Sequence, residues 1–266
     1  MRHESNNNDS TRWTELLTEA VTKPGVISKA YRSFHGYSIG NQMLALLQCQ
    51  MRGLEPGPIS TYPGWQAKGR QVKRGERAIV LCMPLTGKRK AEERGEDDAV
   101  FVRFTYRANW FTLCQTEGEP IEILTTPEWD RSKALGVLAI SEVPFEHLDG
   151  NCMGYARGRE IAISPINPMP HKTTFHECAH VLHGHTTENV VSDTETTPRN
   201  LREVEAEAVA LICCESLGLP GAEYSRGYIQ EWIKGDVIPE RSAQKIFHVA
   251  DQILRAGQVT DAGATH

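Results

Sequence analysis

The spacing of hydrophobic residues predicts a mixture of helices and short strands along this chain. Apolar residues three and four apart predict helices over 11–21, 38–51, 132–138, 171–183, 202–217, 222–234 and 240–256. Alternating apolar and polar residues predict strands over 78–83, 100–113 and 159–164. The order of these elements predicts an α+β fold, with a small α+β domain first and a mainly helical domain with a small sheet after it.

Composition and charge divide the chain into two parts. The 266 residues are 39% hydrophobic and 24% charged, which is typical of a folded globular protein. Residues 1–120 contain 17 basic and 13 acidic residues, and the remainder contains 12 and 21. This asymmetry indicates different partners for the two parts. We expect one domain over 1–125 and a second over 126–266.

The first part contains the ingredients of a single-stranded DNA site. Residues 61–90 contain eight basic residues and one acidic residue, and two aromatic residues lie at the start of this segment. Sites for single-stranded DNA combine a basic groove that follows phosphates with aromatic rings that stack on bases. We expect DNA contacts from Tyr37, Asn41, Tyr62, Trp65, Lys68, Arg70, Lys73, Arg74, Arg77, Arg103 and Arg107.

Some of these residues have a purely structural alternative. Trp65 and Trp110 are both suited to anchor a small core, with the basic residues forming a solvated face. The polar residue after Trp65 favours it as the stacking ring, and the apolar neighbours of Trp110 favour it as core. Tyr37 and Asn41 lie at the start of a predicted helix, where a phosphate is favoured, and Ser38 is equally suited as a plain N-cap.

The most specific motif in the sequence is His176-Glu177-Cys178-Ala179-His180. Residues four apart lie on the same face of a helix, so both imidazoles can bind one divalent ion. Glu177 can then reach a water molecule beside that ion. The alternative is a helix with two surface histidines, but the neighbouring residues are uncharged, as expected of a buried segment. The motif therefore indicates a metallohydrolase.

The third metal ligand is expected outside this motif, because a catalytic zinc site needs three protein ligands. The longer arrangement HExxHxxGxxH is excluded, since His183 and Thr186 stand where it requires glycine and histidine. Glu203 and Glu207 are four apart in the predicted helix over 202–217 and share a face. We expect Glu203 to bind the metal and Glu207 to accept a hydrogen bond from a ligand histidine. The alternative is a solvated acidic face.

These residues together predict hydrolysis of a peptide bond. A divalent ion lowers the pKa of a bound water from about 15.7 toward 7, Glu177 would accept the proton, and the same ion would polarise the carbonyl. Tyr155, His183 and His185 are candidate donors to the oxyanion, and the sequence does not choose among them. The strand over 159–164 is of the kind that pairs with an extended substrate in zinc peptidases. We expect Zn²⁺, with Mn²⁺ as the alternative.

Several segments of the chain resemble one family. HECAHVLHGH followed by REVEAEAVA resembles the gluzincin-like domain of ArdC-type antirestriction proteins and of the related ImmA/IrrE peptidases. Their pattern is HExxH and then ExxA(E/D/N), here Glu203, Ala206 and Glu207. YSIGNQMLALLQ, YPGWQAKGRQVKRGERAIVLCMP and FTLCQT are similar to the family's N-terminal domain, and YIQEWIKGD through HVADQIL is similar to its C-terminal helices. Cys178 departs from the pattern, since a larger aliphatic residue is more usual there.

The resemblance implies an N-terminal domain that binds single-stranded DNA and a zincin-like metallopeptidase domain that acts on a protein or peptide substrate. It also implies that the protein helps a mobile element or phage to escape host restriction. The alternative is a non-catalytic DNA-binding protein in which the metal only stabilises the fold. The chain lacks an apolar stretch of about 20 residues and has a polar N-terminus, so we expect a cytoplasmic protein with no membrane partner.

Overall fold

The computed structural model describes residues 12–88, 100–122, 125–146, 152–186 and 198–259, with only the backbone described at 85–88 and 100–103. Two compact units are present, one formed by residues 44–122 and the other by residues 12–43 together with 125–259. The fold class is α+β, which confirms the prediction.

The elements follow the predicted pattern and add short ones to it. The helices are α1 (Trp13–Thr22), α2 (Val26–Phe34), α3 (Ile39–Arg52), α4 (Tyr62–Ala67), α5 (Arg131–Val137), α6 (Pro170–His183), α7 (Arg199–Leu217), α8 (Ala222–Ile233) and α9 (Glu240–Gly257). The strands are β1 (Ile59–Thr61), β2 (Arg70–Val72), β3 (Ile79–Lys88), β4 (Val100–Thr112), β5 (Thr116–Gly118), β6 (Ser141–Glu142), β7 (Gly154–Arg157) and β8 (Glu160–Ile163). Each predicted helix is present with ends shifted by at most three residues, whereas α2 and α4 were not predicted.

The first unit is built around antiparallel strands. β4 is the middle strand of a sheet in the order β1-β4-β3, and β2 pairs with β5 separately. Thr61 caps α4 by accepting a hydrogen bond from the Gly64 amide at 3.2 Å. Trp65 in α4 is fully buried, and its indole Nε1 donates to the Phe111 carbonyl at 2.8 Å. Trp65 therefore joins α4 to β4 in the core of this unit, where Trp110 is also buried.

In the second unit α7 is the central helix, and it packs against α6, α8 and α9. The helices α1 and α2 also pack on this group, through buried apolar residues that include Leu16, Leu17, Ile27 and Phe34. Residues 12–43 therefore belong to the helical unit, which differs from the predicted first domain over 1–125. The physical reason is that these two amphipathic helices bury their apolar faces on α7–α9.

A buried ion pair fixes this packing. The guanidinium of Arg226 on α8 donates to the carbonyls of Ala20 and Val21 at 3.1 and 2.6 Å, and it also binds the carboxylate of Glu215 on α7. The other oxygen of Glu215 accepts the Ile27 amide at 3.1 Å. One cation and one anion thus satisfy the otherwise unpaired ends of α1 and α2.

The small sheet of the second unit has the order β6-β8-β7. β8 pairs with β7 in antiparallel fashion along its whole length and with β6 in parallel at Glu160 and Ile161. At these two residues the backbone is engaged on both sides and closed to an extended substrate, and for the rest of the strand the predicted pairing stays a prediction. No helix among the described residues has the length and apolar character needed to cross a bilayer.

Candidate metal centre

Helix α6 places both histidines of the HExxH motif on one face. The helix begins with Pro170 in its first turn and ends at Gly184, whose φ of 78° is the left-handed conformation that favours glycine. His176 and His180 lie one turn apart, and their Nε2 atoms are 3.1 Å from each other. Two imidazole nitrogens are therefore presented at one point beside α7.

Helix α7 brings the predicted third side chain to the same point. Glu203 Oε2 lies 3.5 Å from His176 Nε2 and 3.6 Å from His180 Nε2. The close approach of the helices is possible because Ala206 and Ala210 are small and fully buried. Tetrahedral zinc with bonds of about 2.0–2.1 Å separates its ligand atoms by about 3.3–3.4 Å. The three observed distances match this value, so the residues fit a divalent cation.

The charges of this cluster are strongly coupled. Burial lowers the pKa of His176, but the carboxylates of Glu203 and Glu207 outweigh it and raise the pKa to about 9. Hydrogen bonds from His176 and His180 hold the pKa of Glu203 well below its usual range. The metal-free cluster therefore favours a cation between these side chains.

Glu207 lies on the far side of His176. Its Oε1 is 3.2 Å from His176 Nδ1 and 2.9 Å from Lys172 Nζ. Burial raises the pKa of this carboxyl, but His176 and Lys172 outweigh it and bring the pKa to about 2. The structure thus places Glu207 where an acceptor for a ligand histidine was expected.

Glu177 is buried beside the two histidines. Burial raises the pKa of its carboxyl, although the charges of His176 and His180 act in the opposite direction. Strand β7 lies directly against it, since a Cβ added at Gly154 would be 3.3 Å from Glu177 Oε1. A carboxylate with a raised pKa in this position is suited to accept and return a proton.

Tyr228 on α8 is a candidate for the site that the sequence did not reveal. Burial raises the pKa of its phenol, and the charges of Glu203 and Glu207 raise it further. Among the expected oxyanion donors, Tyr155 packs against Phe145, with ring centroids 5.9 Å apart and the ring planes tilted by 38°. No motif marks Tyr228, because only the packing of α8 on α7 brings it to the site.

The first unit exposes many of the basic residues expected at a DNA site. The exposed members are Lys68, Lys73, Arg74, Arg77 and Arg107, with Tyr62 as an exposed aromatic residue. The ammonium of Lys73 donates to the Cys114 carbonyl at 2.9 Å. The backbone of Arg103 lies in β4 opposite Leu85, and its side chain lies outside the described residues.

Two residues of the predicted DNA site have structural roles instead. Trp65 is fully buried, so the prediction that it stacks on a base is wrong. The guanidinium of Arg70 donates to Thr116 Oγ1 at 2.8 Å and to the carbonyls of Thr116, Gly118 and Glu119. Arg70 therefore binds β2 to β5, and its guanidinium nitrogens donate to acceptors of the protein itself.

The predicted phosphate site at the start of α3 is also corrected. The Ile39 amide donates to Asp251 Oδ1 at 3.2 Å, so a carboxylate of the protein already occupies this helix N-terminus. Asn41 is only 9% exposed, and the Tyr37 carbonyl accepts the Gln42 side chain at 2.7 Å. Both Tyr37 and Asn41 belong to the second unit, whereas the other predicted DNA contacts belong to the first.

Two exposed rings that are not among the predicted DNA contacts lie on β4. Phe104 is 66% exposed and Tyr106 is 36% exposed, and residues two apart share one face of a strand. The alternation of residues along β4 does not predict that these rings are exposed. Trp110 lies an even number of residues from both and would share their face in a regular strand, yet it is buried. The pairing register shifts between Ile79, opposite Trp110, and Val80, opposite Ala108, and this bulge reverses the faces.

The chain is similar to members of an antirestriction family. Residues 8–111 match the family model for the N-terminal domain of anti-restriction factor ArdC. Two crystal structures of the antirestriction ArdC protein from plasmid R388, one metal-free and one Mn(II)-bound, match with a TM-score of 0.54 each. They are 19% and 18% identical to this chain, and the matches cover 92% of it and 94% and 97% of those chains. None of the curated proteins matches the chain.

Residues 8–111 are therefore similar to the N-terminal domain of ArdC, and the helical unit presents the HExxH cluster. The fold of the chain is similar to that of the ArdC protein from plasmid R388.

Proposed function

We propose that this chain is an ArdC-type antirestriction protein that binds single-stranded DNA and hydrolyses peptide bonds at a metal centre. The observation that carries the peptidase is the convergence of His176 Nε2, His180 Nε2 and Glu203 Oε2 within 3.6 Å, beside a buried Glu177. Two imidazoles and one carboxylate are the ligand set of many catalytic zinc sites.

Zn²⁺ is the proposed ion, and Mn²⁺ is the alternative. The similar ArdC structure from plasmid R388 is Mn(II)-bound. Nitrogen-rich sites nevertheless bind Zn²⁺ more tightly than Mn²⁺. When bound, either ion supplies Lewis acidity, which acidifies water and polarises a carbonyl group.

The side chains around the ion then have separate tasks. Glu177 accepts a proton from the attacking water on its carboxylate and returns it to the leaving amine. Its burial supports this role, because a raised carboxyl pKa lies closer to the working pH. The phenol of Tyr228 donates a hydrogen bond to the carbonyl oxygen as negative charge develops. Glu207 holds His176 in place through Nδ1.

The DNA contacts come from the first unit. Exposed positive charge on Lys68, Lys73, Arg74, Arg77 and Arg107 binds phosphates, and the exposed rings Tyr62, Phe104 and Tyr106 stack on bases. The acidic second unit does not favour DNA, so binding localises the peptidase to proteins on a single strand in the cytoplasm.

The substitution Glu177→Gln tests the peptidase. The amide cannot accept a proton, so cleavage of a quenched peptide library falls at least about 100-fold while metal content stays at the wild-type level. Glu160→Gln, an exposed residue of β8, is the matched control. The biological assay is survival of unmodified DNA in a restricting host. If Glu177→Gln protects that DNA as well as the wild type does, the non-catalytic alternative is correct.

Two pairs of variants test the DNA surface. Arg74→Ala lowers the slope of log affinity against log salt by about 0.7, whereas Arg241→Ala on α9 leaves it unchanged. Phe104→Ala weakens binding of an oligothymidine by about 1–3 kcal/mol, whereas Met51→Ala, which is also exposed, does not. If the two variants of a pair change DNA binding equally, the tested residue does not belong to the DNA-binding surface.

A further inference from the structure

A second cluster of potential metal ligands lies next to the first. The nitrogen and oxygen atoms of His183, His185 and Glu205 that could bind an ion all lie within 4.8 Å of one another. By residue type this cluster equals the first, with two imidazoles and one carboxylate. Its hydrogen bonds, however, link it to the proposed ligand His180 and give it a different task.

The link is a chain of two hydrogen bonds. His180 Nδ1 lies 3.0 Å from His185 Nδ1, and His185 Nε2 lies 3.0 Å from Glu205 Oε2. The side chains of His185 and Glu205 are only 8% and 2% exposed. Glu205 reaches this side of α7 because it is turned by about 200° from Glu203. The chain therefore runs from the metal centre to a buried carboxylate.

The positions of the ring protons follow from this chain. To bind an ion through Nε2, His180 must carry its proton on Nδ1, and that proton needs an acceptor. An ionised Glu205 can only accept, so His185 carries its proton on Nε2 and leaves Nδ1 free to accept from His180. One arrangement of protons satisfies all three side chains.

The same assignment of ring protons leaves no place for a second ion on His185. An ion on His185 Nε2 would move the ring proton to Nδ1, where it would face the proton on His180 Nδ1 across 3.0 Å. An ion on His185 Nδ1 would occupy the acceptor that His180 needs. Either placement breaks the hydrogen bond that holds His180 ready to bind the first ion.

We propose that His185 and Glu205 are positioning residues that hold His180 in the tautomer with a free Nε2, and that the second cluster binds no metal. This inference rests on the metal centre of the proposed function. Glu205 is itself held by hydrogen bonds from His185 and from Ser242 on α9. Each ligand histidine thus faces a carboxylate of α7: Glu207 Oε1 lies 3.2 Å from His176 Nδ1, and Glu205 reaches His180 through His185.

The test measures the stoichiometry and affinity of Zn²⁺ on the full chain, by elemental analysis and by competition with a chelator. The wild type is expected to bind one ion. His185→Phe keeps a ring of similar size but removes the acceptor, and its affinity is expected to fall about 10–100-fold. His183→Phe is the matched control with unchanged affinity: it keeps a ring to stack on His185, where the centroids are 5.1 Å apart, and both ring nitrogens of His183 lack a hydrogen-bond partner among the described residues.

A rescue variant separates positioning from packing. His185→Gln offers an amide oxygen to His180 and is expected to retain more affinity than His185→Phe. If His185→Phe does not fold, Glu205→Gln carries the test, with the same expected direction. Two ions on the wild type, or unchanged affinity in these variants, would overturn the inference alone. A wild type that binds no ion would overturn the metal centre as well.

Discussion

Metal binding should tighten with rising pH over a range in which an ordinary histidine site is already insensitive to pH. In the metal-free protein, Glu203 and Glu207 raise the pKa of His176 to about 9 against the opposing effect of burial. His176 must lose its proton to bind an ion, so protons compete with the metal below that pKa. A histidine with the usual pKa of about 6.5 would compete only below neutral pH.

The magnitude follows from the difference between the pKa and the working pH. At about pH 7 the proton on His176 weakens the apparent affinity by about 100-fold, which corresponds to about 2.7 kcal/mol. Each unit of rising pH recovers about tenfold until the pKa is reached. Binding near neutral pH should also release about one proton.

The assay is chelator competition for Zn²⁺ between about pH 6.5 and 8.5, with proton release measured calorimetrically in two buffers of different ionisation enthalpy. Glu207→Gln removes one of the carboxylates that raise the pKa of His176, so its affinity should level off at a lower pH. An affinity for the wild type that is constant above about pH 7 would refute the coupling of these side chains.

Three further outcomes are expected. Arg226→Met leaves the buried carboxylate of Glu215 without its cation and should lower the free energy of unfolding by about 3–5 kcal/mol in urea titrations. Adding Glu215→Leu to that variant should recover part of this loss. Burial lowers the pKa of His183 to about 4. The free energy of unfolding should therefore fall by about 3 kcal/mol as the pH drops from about 6.5 toward 4, because the unfolded chain binds the proton first. His183→Leu should abolish that part of the acid sensitivity in thermal melts. Gly154→Ala places a Cβ 2.5 Å from a threonine methyl group and should lower the free energy of unfolding by about 1–3 kcal/mol. Gly136→Ala, where the added Cβ faces open space, should not lower it. Equal melting temperatures for the two variants would contradict the close contact at Gly154.

The residues around the metal centre were predictable because local spacing places them. The i, i+4 relation fixes His176 and His180 on one face of α6 and Glu203 and Glu207 on one face of α7. The structure brings all four together, since small residues in α7 allow the two helices to approach. The role of Glu205 was not predictable, because it depends on a tertiary contact with His185.

The DNA surface was predicted less well, for reasons that are also physical. A polar neighbour of Trp65 favoured exposure, but α4 is a short helix that turns the indole inward. The sequence does not distinguish Arg70 from an exposed basic residue, because its partners on β5 depend on tertiary structure. Phe104 and Tyr106 are hidden by a bulge, which changes the relation between sequence parity and strand face.

Helix α7 carries Glu203, Glu205 and Glu207 within little more than one turn, and they serve opposite sides of the helix. Since each residue advances the helix by about 100°, an insertion or deletion of one residue directly after Glu207, with the core of α7 that follows kept in place, would misdirect all three carboxylates at once. Length changes there should therefore abolish the ion site entirely, while side-chain changes weaken it by degrees.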